Sequence, residues 1–239
     1  MDVTKITRPL RKLLPLGSCG AVIVAAGSAS RMGGIDKVMA PLGGEPMICR
    51  TVRQFQDCDC IQKIVIVTRP DLILPIRELC RDMDKVVAVV AGGKSRQESV
   101  RLGLSALEGV KLAAVHDGAR PLVSWQVIDR TVRAAHSYGA AAPAIPVKDT
   151  IKVEQGSLVA ATPDRAHLRA VQTPQVFDYD LLRGALVKAE QTSAQVTDDC
   201  SAVENLGMSV MLVEGEERNL KVTTPLDLKI AELLLEEEQ

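Results

Sequence analysis

Aromatic side chains are scarce in this chain, and long apolar runs are absent. Phe, Trp and Tyr together make up 2% of the 239 residues, whereas hydrophobic residues make up 46%. The core must therefore consist mainly of Val, Leu, Ile and Ala, which is typical of a parallel sheet buried on both faces. No apolar run approaches the ~20 residues that a membrane-spanning helix needs, so we expect no membrane partner.

The chain also lacks a marked excess of charge of either sign. Lys and Arg number 29 and Asp and Glu 30, which gives a formal net charge of −1. Proteins that hold nucleic acid by bulk electrostatics carry a strong positive excess, so we expect no nucleic-acid partner. An anionic ligand would have to be held by a local cluster of cations.

Familiar cysteine motifs and a secretory signal are missing as well. Residues 1–18 lack the apolar core of a signal peptide, so we interpret residues 1–19 as an extension and residues 20–239 as a single domain. The cysteines form neither a C-x-x-C pair nor a zinc-ligand pattern, and we expect reduced thiols and a cytoplasmic location. The six cysteines are Cys19, Cys49, Cys58, Cys60, Cys80 and Cys200.

The most informative segment that is present begins with an apolar run ending at Ala25. Small residues follow, and then the cations Arg31 and Lys37. Small side chains let backbone N–H groups approach a polyphosphate, and the cations add charge that amides lack. The segment matches neither G-x-x-x-x-G-K-[ST] nor G-x-G-x-x-G. It predicts a loop that holds a nucleoside triphosphate; the alternative is an ordinary strand-to-helix turn with a solvated Arg and Lys.

Short β-branched runs alternate with amphipathic segments over the first half of the chain. This alternation predicts a doubly wound α/β domain with an open, mostly parallel sheet and right-handed crossovers. Such sheets bind ligands at the carboxyl ends of their strands, where the loops 27–37, 91–96 and 117–120 would meet. The predicted strands are Ala21–Ala25, Lys63–Thr68, Lys85–Val90 and Leu112–His116, and the predicted helices are Pro46–Phe55 and Ser95–Leu107.

A different pattern follows residue 145. The runs Asp149–Val153 and Leu158–Ala161 flank a turn-forming tetrapeptide, which predicts a β-hairpin. We interpret residues 147–172 as a protruding arm of the kind that serves oligomerisation. The core then resumes with a strand over Met208–Val213 and a closing helix over Leu226–Leu235, capped by Thr224 with Pro225 in its first position.

The segment after the fourth predicted strand carries groups suited to phosphate chemistry. Asp117 follows a strand, and a carboxylate there is well placed to hold Mg²⁺; a turn or helix-cap aspartate is the alternative. Arg120 can clamp a phosphate bidentately. We expect His116 to pack beneath the site without a catalytic role.

Two further segments can offer a ligand backbone hydrogen-bonding groups or a positive charge. Residues 92–99 form a glycine-rich turn that can meet a base edge, although a capping box between Ser95 and Glu98 would explain part of it. Lys221 lies in the strand-like run 219–223. There it is either a cation that protects an edge strand from association or a cation of the site.

Several separated motifs occur along the chain in this order: AAGSASRMG, DKV, GGKSRQESV, HDGARP, KDTIK, TPQVF, TDDCSAVE and EGEERNLKVTTPLDL. With this ordered set, the chain resembles the 2-C-methyl-D-erythritol 4-phosphate cytidylyltransferases of the non-mevalonate isoprenoid pathway. The likeness covers nearly everything from Gly20 to the C-terminus. It implies a Rossmann-like fold, a homodimer with exchanged arms, and a requirement for Mg²⁺ and CTP.

The resemblance also implies roles for individual residues. Catalytic roles fall to Arg31 and Lys37 on the reacting phosphates and to Lys221, which positions the attacking phosphate. A further catalytic role falls to Arg165, beside the methylerythritol phosphate. Nucleotide binding falls to Ala25, Ala26, Gly27, Ala29, Gly93 and Ser99. Contacts to the sugar phosphate fall to Arg120, Thr150, Thr173 and Thr197, with those on the arm supplied by the partner subunit. The metal-binding residue is Asp117.

The implied reaction is an in-line attack of the sugar phosphate on the α-phosphorus of CTP, without a covalent intermediate. Pyrophosphate is the leaving group, and catalysis comes from positioning and electrostatic stabilisation. Two alternatives fit the same residues. The acceptor can be ribitol 5-phosphate, or the chain can be a non-catalytic regulator that binds CTP.

Overall fold

A central eight-stranded sheet dominates the computed structural model, which describes residues 17–27, 36–192, 194 and 196–237. Its strands are β1 (Cys19–Ala25), β4 (Lys63–Thr68), β5 (Val86–Ala91), β6 (Leu112–Asp117), β7 (Ala140–Pro146), β10 (Arg169–Val171), β11 (Gln175–Asp178) and β12 (Met211–Glu214). Two small antiparallel pairs lie outside it, formed by β2 (Pro41–Leu42) with β3 (Glu45–Pro46) and by β8 (Val153–Gln155) with β9 (Leu158–Ala161).

One half of the sheet is parallel, and its strand order creates a crevice. β1 pairs in parallel with β4 on one side and with β6 on the other, and β5 continues the sheet beyond β4. The chain thus winds outward from β1 to β5 and then returns to the far side of β1. The carboxyl ends of β1 and β6 part at this switch point, where ligands bind in doubly wound folds.

The other half of the sheet is mixed. β11 is antiparallel to both β6 and β7, whereas β12 is parallel to β7. β10 forms an antiparallel edge next to β7. The prediction of an α/β, doubly wound and mostly parallel sheet is confirmed.

Among the described residues, seven α-helices accompany the sheet, of which α7 packs in a separate small core with Leu42 and Met47. Alternation along β1 sends Ala21 and Ile23 to a core with α1 and α4, while Val22 faces a core with α3, α5 and α6. Burial of both faces explains why the strands are continuously apolar. The helices are α1 (Met47–Gln56), α2 (Ile73–Leu79), α3 (Arg96–Ala106), α4 (Trp125–Tyr138), α5 (Tyr179–Thr192), α6 (Asp199–Glu204) and α7 (Pro225–Glu236). None of these helices is long and apolar enough to cross a bilayer.

The predicted hairpin exists but is shorter than expected. β8 and β9 pair through Gln155 and Leu158, and the two turn residues, Gly156 and Ser157, both have positive φ, as in the turns that suit the twist of a hairpin. The predicted strand over 149–153 is wrong except for its last residue, because β9 ends opposite Val153 and leaves the preceding residues without a partner.

Two other predicted strands differ from the structure. The run 208–213 begins its ladder only at Met211, which lies opposite Ala141 of β7. Residues 219–223 form no strand at all, because their hydrogen bonds go to loops instead of a neighbouring strand. The closing helix is confirmed, with Thr224 as its N-cap and Pro225 in its first turn. Residues 1–16 lie outside the described part of the chain, so the N-terminal extension stays a prediction.

Candidate active site

A cavity of about 460 Å³ opens at the switch point of the sheet; we call it the switch-point cavity. Five separate segments of the described chain contribute to it: the end of β1, the short turn Lys37–Met39, the turn before α3, the end of β6 and the segment before α7. Its described lining is Val24, Ala25, Ala26, Gly27, Lys37, Val38, Gly93, Lys94, Ser95, Arg96, Ser99, Asp117, Ala119 and Lys221. The structure thus brings together most residues that the sequence assigned to the nucleotide and to the reacting phosphates.

Small residues at the end of β1 let this part of the cavity wall approach the turn before α3. A Cβ added to Gly92 would lie 2.3 Å from the Cβ of Ala26, so the close packing of the two segments requires glycine. A Cβ added to Gly27, in contrast, would meet no described atom within 4 Å. Packing among the described residues therefore does not explain Gly27, and its backbone faces space that a ligand can use.

The turn before α3 is held by its own side chains. The hydroxyl of Ser99 accepts from the backbone N–H of Gly93 at 3.1 Å and donates to the carbonyl of Ser95 at 2.8 Å. The predicted capping box is half correct: Ser95 Oγ accepts from Glu98 N at 3.0 Å, but the Glu98 carboxylate accepts from Lys94 N instead of Ser95 N. These bonds hold the turn in shape without any ligand.

Asp117 is surrounded by three cations. Lys221 Nζ lies 2.8 Å from its carboxylate, Arg96 Nε lies 3.6 Å away and Arg120 Nε lies 3.8 Å away. Burial alone would raise the pKa of Asp117, but Lys221, Arg96 and Arg120 outweigh it and lower the pKa to about 2. The carboxylate is therefore ionised at neutral pH, and it holds cations at the mouth of the cavity.

Arg96 is a site residue that the sequence analysis missed. It links Asp117 to Asp199, whose carboxylate lies 2.8 Å from Arg96 Nη2 and is 1% exposed. Burial raises the pKa of Asp199, and the ion pair with Arg96 opposes this shift. A signal was available: Arg96 is the first residue of α3, where the positive end of the helix dipole disfavours a cation.

Lys221 reaches the cavity without belonging to a strand. Its neighbour Val222 donates its N–H to the carbonyl of Ala119 at 2.8 Å. Two residues before Lys221, the buried side chain of Asn219 donates to the carbonyl of Thr173 at 2.9 Å. Loop-to-loop bonds therefore fix the segment, and the Lys221 side chain remains half exposed beside Asp117.

Thr173 and His116 support Asp117 from below. Thr173 Oγ1 accepts from the backbone N–H of Asp117 at 3.1 Å and lies 2.9 Å from His116 Nδ1. The other ring nitrogen of His116 lies 3.1 Å from the carbonyl of Arg120. Because a carbonyl can only accept, His116 Nε2 carries the proton. Burial lowers the pKa of His116 to about 4, and the ring is neutral. His116 packs beneath the site as expected.

The residues assigned to the sugar phosphate lie elsewhere. Thr150 and Arg165 line a second cavity, of about 920 Å³, formed by the segments on either side of the β8–β9 hairpin; we call it the hairpin cavity. Thr197 is exposed, and Arg120 and Thr173 lie behind Asp117 and outside the described lining of the first cavity. The substrate roles of these residues stay predictions.

Two predicted residues, Ala29 and Arg31, lie outside the described residues. The described chain reaches Gly27 on one side and resumes at Asp36 on the other. Asp36 caps the short turn Lys37–Met39 by accepting from Val38 N at 3.2 Å, and it is ion-paired with Arg69. This anchoring holds Lys37 against the switch-point cavity.

The donor set of the cavity suits a metal that arrives with a ligand. Among the described residues no group of three or more His, Cys, Asp or Glu is arranged to hold a metal ion. Asp117 supplies a single carboxylate at the cavity. Mg²⁺ is often held by one or two carboxylates together with substrate phosphates. The residues fit Mg²⁺ bound in this way, and they do not fit a metal centre made by protein alone.

Comparisons with known proteins agree with this geometry. Residues 19–237 match the family model for 2-C-methyl-D-erythritol 4-phosphate cytidylyltransferase (IspD). An enzyme of that name from Symbiobacterium thermophilum is 46% identical over 91% of this chain and 92% of its own length. The one from Caldanaerobacter subterraneus is 41% identical, over 90% and 97% respectively. Among solved structures, 4-diphosphocytidyl-2C-methyl-D-erythritol synthase from Anaerococcus prevotii is 31% identical, with a TM-score of 0.84 over 92% of this chain and 96% of that one.

Proposed function

The chain belongs to the 2-C-methyl-D-erythritol 4-phosphate cytidylyltransferase family, and we propose that the switch-point cavity is the place where it carries out that family's reaction. The chain is a nucleotidyltransferase: it transfers the cytidylyl group of CTP to 2-C-methyl-D-erythritol 4-phosphate, with release of pyrophosphate. One observation supports the assignment of the site. The backbone at the end of β1 lines the same cavity as Lys37, Asp117 and Lys221.

The main obstacle to this reaction is repulsion between two anions. A phosphomonoester must approach the α-phosphorus of a triphosphate in line, and two unit charges 4 Å apart repel by about 4 kcal/mol at an effective dielectric of 20. The nucleophile is already ionised near neutral pH and needs no base, which agrees with a neutral, buried His116. Catalysis then depends on positioning and on cancelling charge, without a covalent intermediate.

The cations around Asp117 supply that cancellation. Lys37 lines the cavity from the short turn Lys37–Met39, and Lys221 and Arg96 lie beside Asp117. Without substrate, Asp117 holds Lys221 at 2.8 Å. When phosphates enter, Lys221 exchanges this carboxylate for a phosphate oxygen, a move that its half-exposed side chain allows. Arg31 adds a further cation in this proposal.

Mg²⁺ completes the charge balance in this proposal. Asp117 would hold it together with the phosphates of CTP. When bound, the ion supplies charge neutralisation at the phosphate oxygens and favours departure of pyrophosphate. Ala25, Ala26, Gly27 and Ala29 offer backbone groups to the triphosphate, and Gly93 and Ser99 meet the base and ribose.

The acceptor site is proposed to involve a second subunit. Thr150 and Arg165 belong to the hairpin cavity and not to the switch-point cavity. The hairpin beside them is exposed along its length, with Leu158 75% exposed, as is typical of a surface that a partner covers. In a homodimer, the arm of one subunit would bring Arg165 to the site of the other. Arg120, Thr173 and Thr197 complete the acceptor side in this proposal.

A cytoplasmic location is proposed on the basis of the thiols. All six cysteines are free and buried, as is common where reductants keep thiols reduced.

An acceptor panel tests the proposed function. Purified protein is mixed with CTP, Mg²⁺ and either 2-C-methyl-D-erythritol 4-phosphate, ribitol 5-phosphate or no acceptor, and pyrophosphate is measured. We expect pyrophosphate with the methylerythritol phosphate, little with the ribitol phosphate and none without acceptor. Chelation of Mg²⁺ should abolish turnover. CTP binding without pyrophosphate from any acceptor would instead indicate a regulator.

A further inference from the structure

Two thiols lie in contact at the end of the sheet opposite the switch-point cavity. Cys58 Sγ and Cys60 Sγ are 3.1 Å apart, and both side chains are buried. They form a C-x-C sequence in the loop between α1 and β4. That loop packs against the start of β1, where Gln62 N donates to the carbonyl of Cys19 at 2.9 Å. With seven residues in β1, the thiols lie roughly 20 Å from the switch-point cavity.

Cys58 and Cys60 both belong to the lining of a surface cavity of about 500 Å³; we call it the thiol cavity. Trp125, 58% exposed, contributes to its wall, and Asp129 and Arg133 contribute an ion pair of 2.6 Å. The pair therefore lies at the wall of a cavity, with Cys58 3% and Cys60 9% exposed. Cysteines that line no cavity behave as small apolar residues of the core.

The backbone around the pair is fixed. Lys85 Nζ donates to the carbonyl of Cys58 at 2.9 Å, and Gln62 Nε2 donates to the carbonyl of Cys60 at 3.2 Å. Ile61 N also donates to the carbonyl of Cys58, at 3.1 Å. These bonds hold both sulfurs at a separation only about 1 Å longer than a disulfide bond.

We propose that Cys58 and Cys60 are a site of thiol–disulfide exchange that reacts with low-molecular-weight disulfides through the thiol cavity. The Cys58 thiolate attacks one sulfur of the reagent, forms a mixed disulfide and releases one thiol. The Cys60 thiolate then attacks Cys58 Sγ and displaces the second thiol. The two protein thiols lose two electrons and two protons, and the reagent disulfide is reduced to two thiols.

The order of attack follows from the surroundings of the two sulfurs. The hydrogen bond between the two thiols lowers the pKa of Cys58, and the nearby Lys85 acts in the same direction, against the opposing effects of burial and of Asp129. The same pairing, with burial, raises the pKa of Cys60. The thiolate is the nucleophile, and the Lys85 ammonium lies beside Cys58, 2.9 Å from its carbonyl, so the proposal assigns the first attack to Cys58.

The wild-type protein provides the primary test. Folded protein is incubated with glutathione disulfide, unfolded in an alkylating reagent and mapped by mass spectrometry. We expect the peptide that contains Cys58 and Cys60 to be unalkylated and lighter by two hydrogens, and to regain both thiols on reduction. The remaining four cysteines, Cys19, Cys49, Cys80 and Cys200, should be alkylated. Alkylation of all six, while unfolded protein forms adducts in the same buffer, would overturn the proposal.

Single variants test the two roles. Cys60→Ser should accumulate a stable glutathione adduct on Cys58, because the resolving thiol is gone. Cys58→Ser should form an adduct on Cys60 about tenfold more slowly or not at all. Cys200→Ser is the matched control and should still form the Cys58–Cys60 link. Absence of any adduct in a folded Cys60→Ser protein contradicts the proposal.

Phenylarsine oxide tests the pairing without oxidation. The reagent binds two adjacent thiols with loss of water, so it should protect both Cys58 and Cys60 from alkylation in the wild-type protein. Neither single variant should be protected. Equal protection of Cys49 and Cys80 would show that access through the thiol cavity is not what selects the pair.

Discussion

The switch-point cavity and the hairpin cavity differ in how completely one chain builds them. In the first, Asp117 contacts three cations, and the hydroxyls of Thr173 and Ser99 fix the segments around it by accepting from the backbone N–H groups of Asp117 and Gly93. In the second, Arg165 is exposed, and its side chain donates to the carbonyl of Lys148 in the same wall. The first cavity is organised before ligand arrives, whereas the second offers charge on an open surface.

This difference suggests a division of labour. The triphosphate site needs preorganised charge, because stabilisation by fixed dipoles and cations costs no reorganisation during the reaction. A surface that a partner subunit must complete cannot be preorganised in one chain.

Replacing Lys37 should damage the switch-point cavity most. Lys37→Ala should lower turnover by ~10²–10³, the loss that follows removal of one stabilising donor. Steady-state pyrophosphate release measures the effect, and Lys229→Ala on the exposed face of α7 is the matched lysine control. Turnover equal to that of the wild type would remove Lys37 from the mechanism.

The pair between Arg96 and Asp199 should be important for stability. Arg96→Gln leaves the buried Asp199 carboxylate without its cation and should lower the free energy of unfolding by about 3 kcal/mol. Arg101→Gln is the control on the same helix, because its partner Glu190 is exposed and such pairs contribute under about 1 kcal/mol. Urea denaturation compares the two. If both variants lost the same small amount of unfolding free energy, Arg96 would not be needed to support the cavity.

Arg165 should affect only the acceptor. Arg165→Ala should raise the KM for the sugar phosphate about tenfold, the effect of losing one charged contact, and leave CTP affinity unchanged. Loss of CTP affinity would contradict the assignment of the arm.

A subunit-mixing experiment sharpens this prediction. If Arg165 serves the partner's site, Lys37→Ala and Arg165→Ala subunits form mixed dimers with one intact site. At acceptor concentrations far below the KM, where Arg165→Ala alone keeps about a tenth of the wild-type activity, roughly a quarter of wild-type activity should return on mixing. No recovery, with subunit exchange verified, would mean that Arg165 acts within its own chain.

The smallest effect concerns the segment that carries Lys221. Asp227 accepts from Thr223 N and Thr224 N, both at 2.8 Å, and so ties this segment to α7. Asp227→Asn should cost about 1 kcal/mol of stability, whereas Asp180→Asn on α5 should cost almost nothing. Thermal or urea unfolding at neutral pH measures both.

The same variant has a pH signature. Burial alone would raise the pKa of Asp227, but hydrogen bonds from Thr223 and Thr224 lower it below the usual 3.8. A lowered native pKa stabilises the fold above pH 3.8, and this contribution is lost as the pH falls further. The difference between Asp227→Asn and the wild type should therefore shrink below pH 3.8. A constant difference would indicate that the charge of Asp227 is not involved.

Much of the fold could be predicted because its signals are local. The strand Lys63–Thr68 has the predicted bounds, and the closing helix has its predicted cap, since burial on both faces and capping both leave direct traces in sequence. The strand predictions were wrong where pairing with a neighbouring strand decides whether a segment becomes a strand. Residues 149–152 and 208–210 have strand-like composition, but no neighbouring strand pairs with them.

The sequence by itself determined the chemistry of the site: small residues at the end of β1, two lysines, and one aspartate after a buried strand. Tertiary structure alone decided which cations share that aspartate, because Arg96, Arg120 and Lys221 come from three segments that meet only after the chain winds across the sheet. Sequence spacing permits such contacts, but side-chain distance and burial, which set the strength of a charge interaction, exist only in the folded chain.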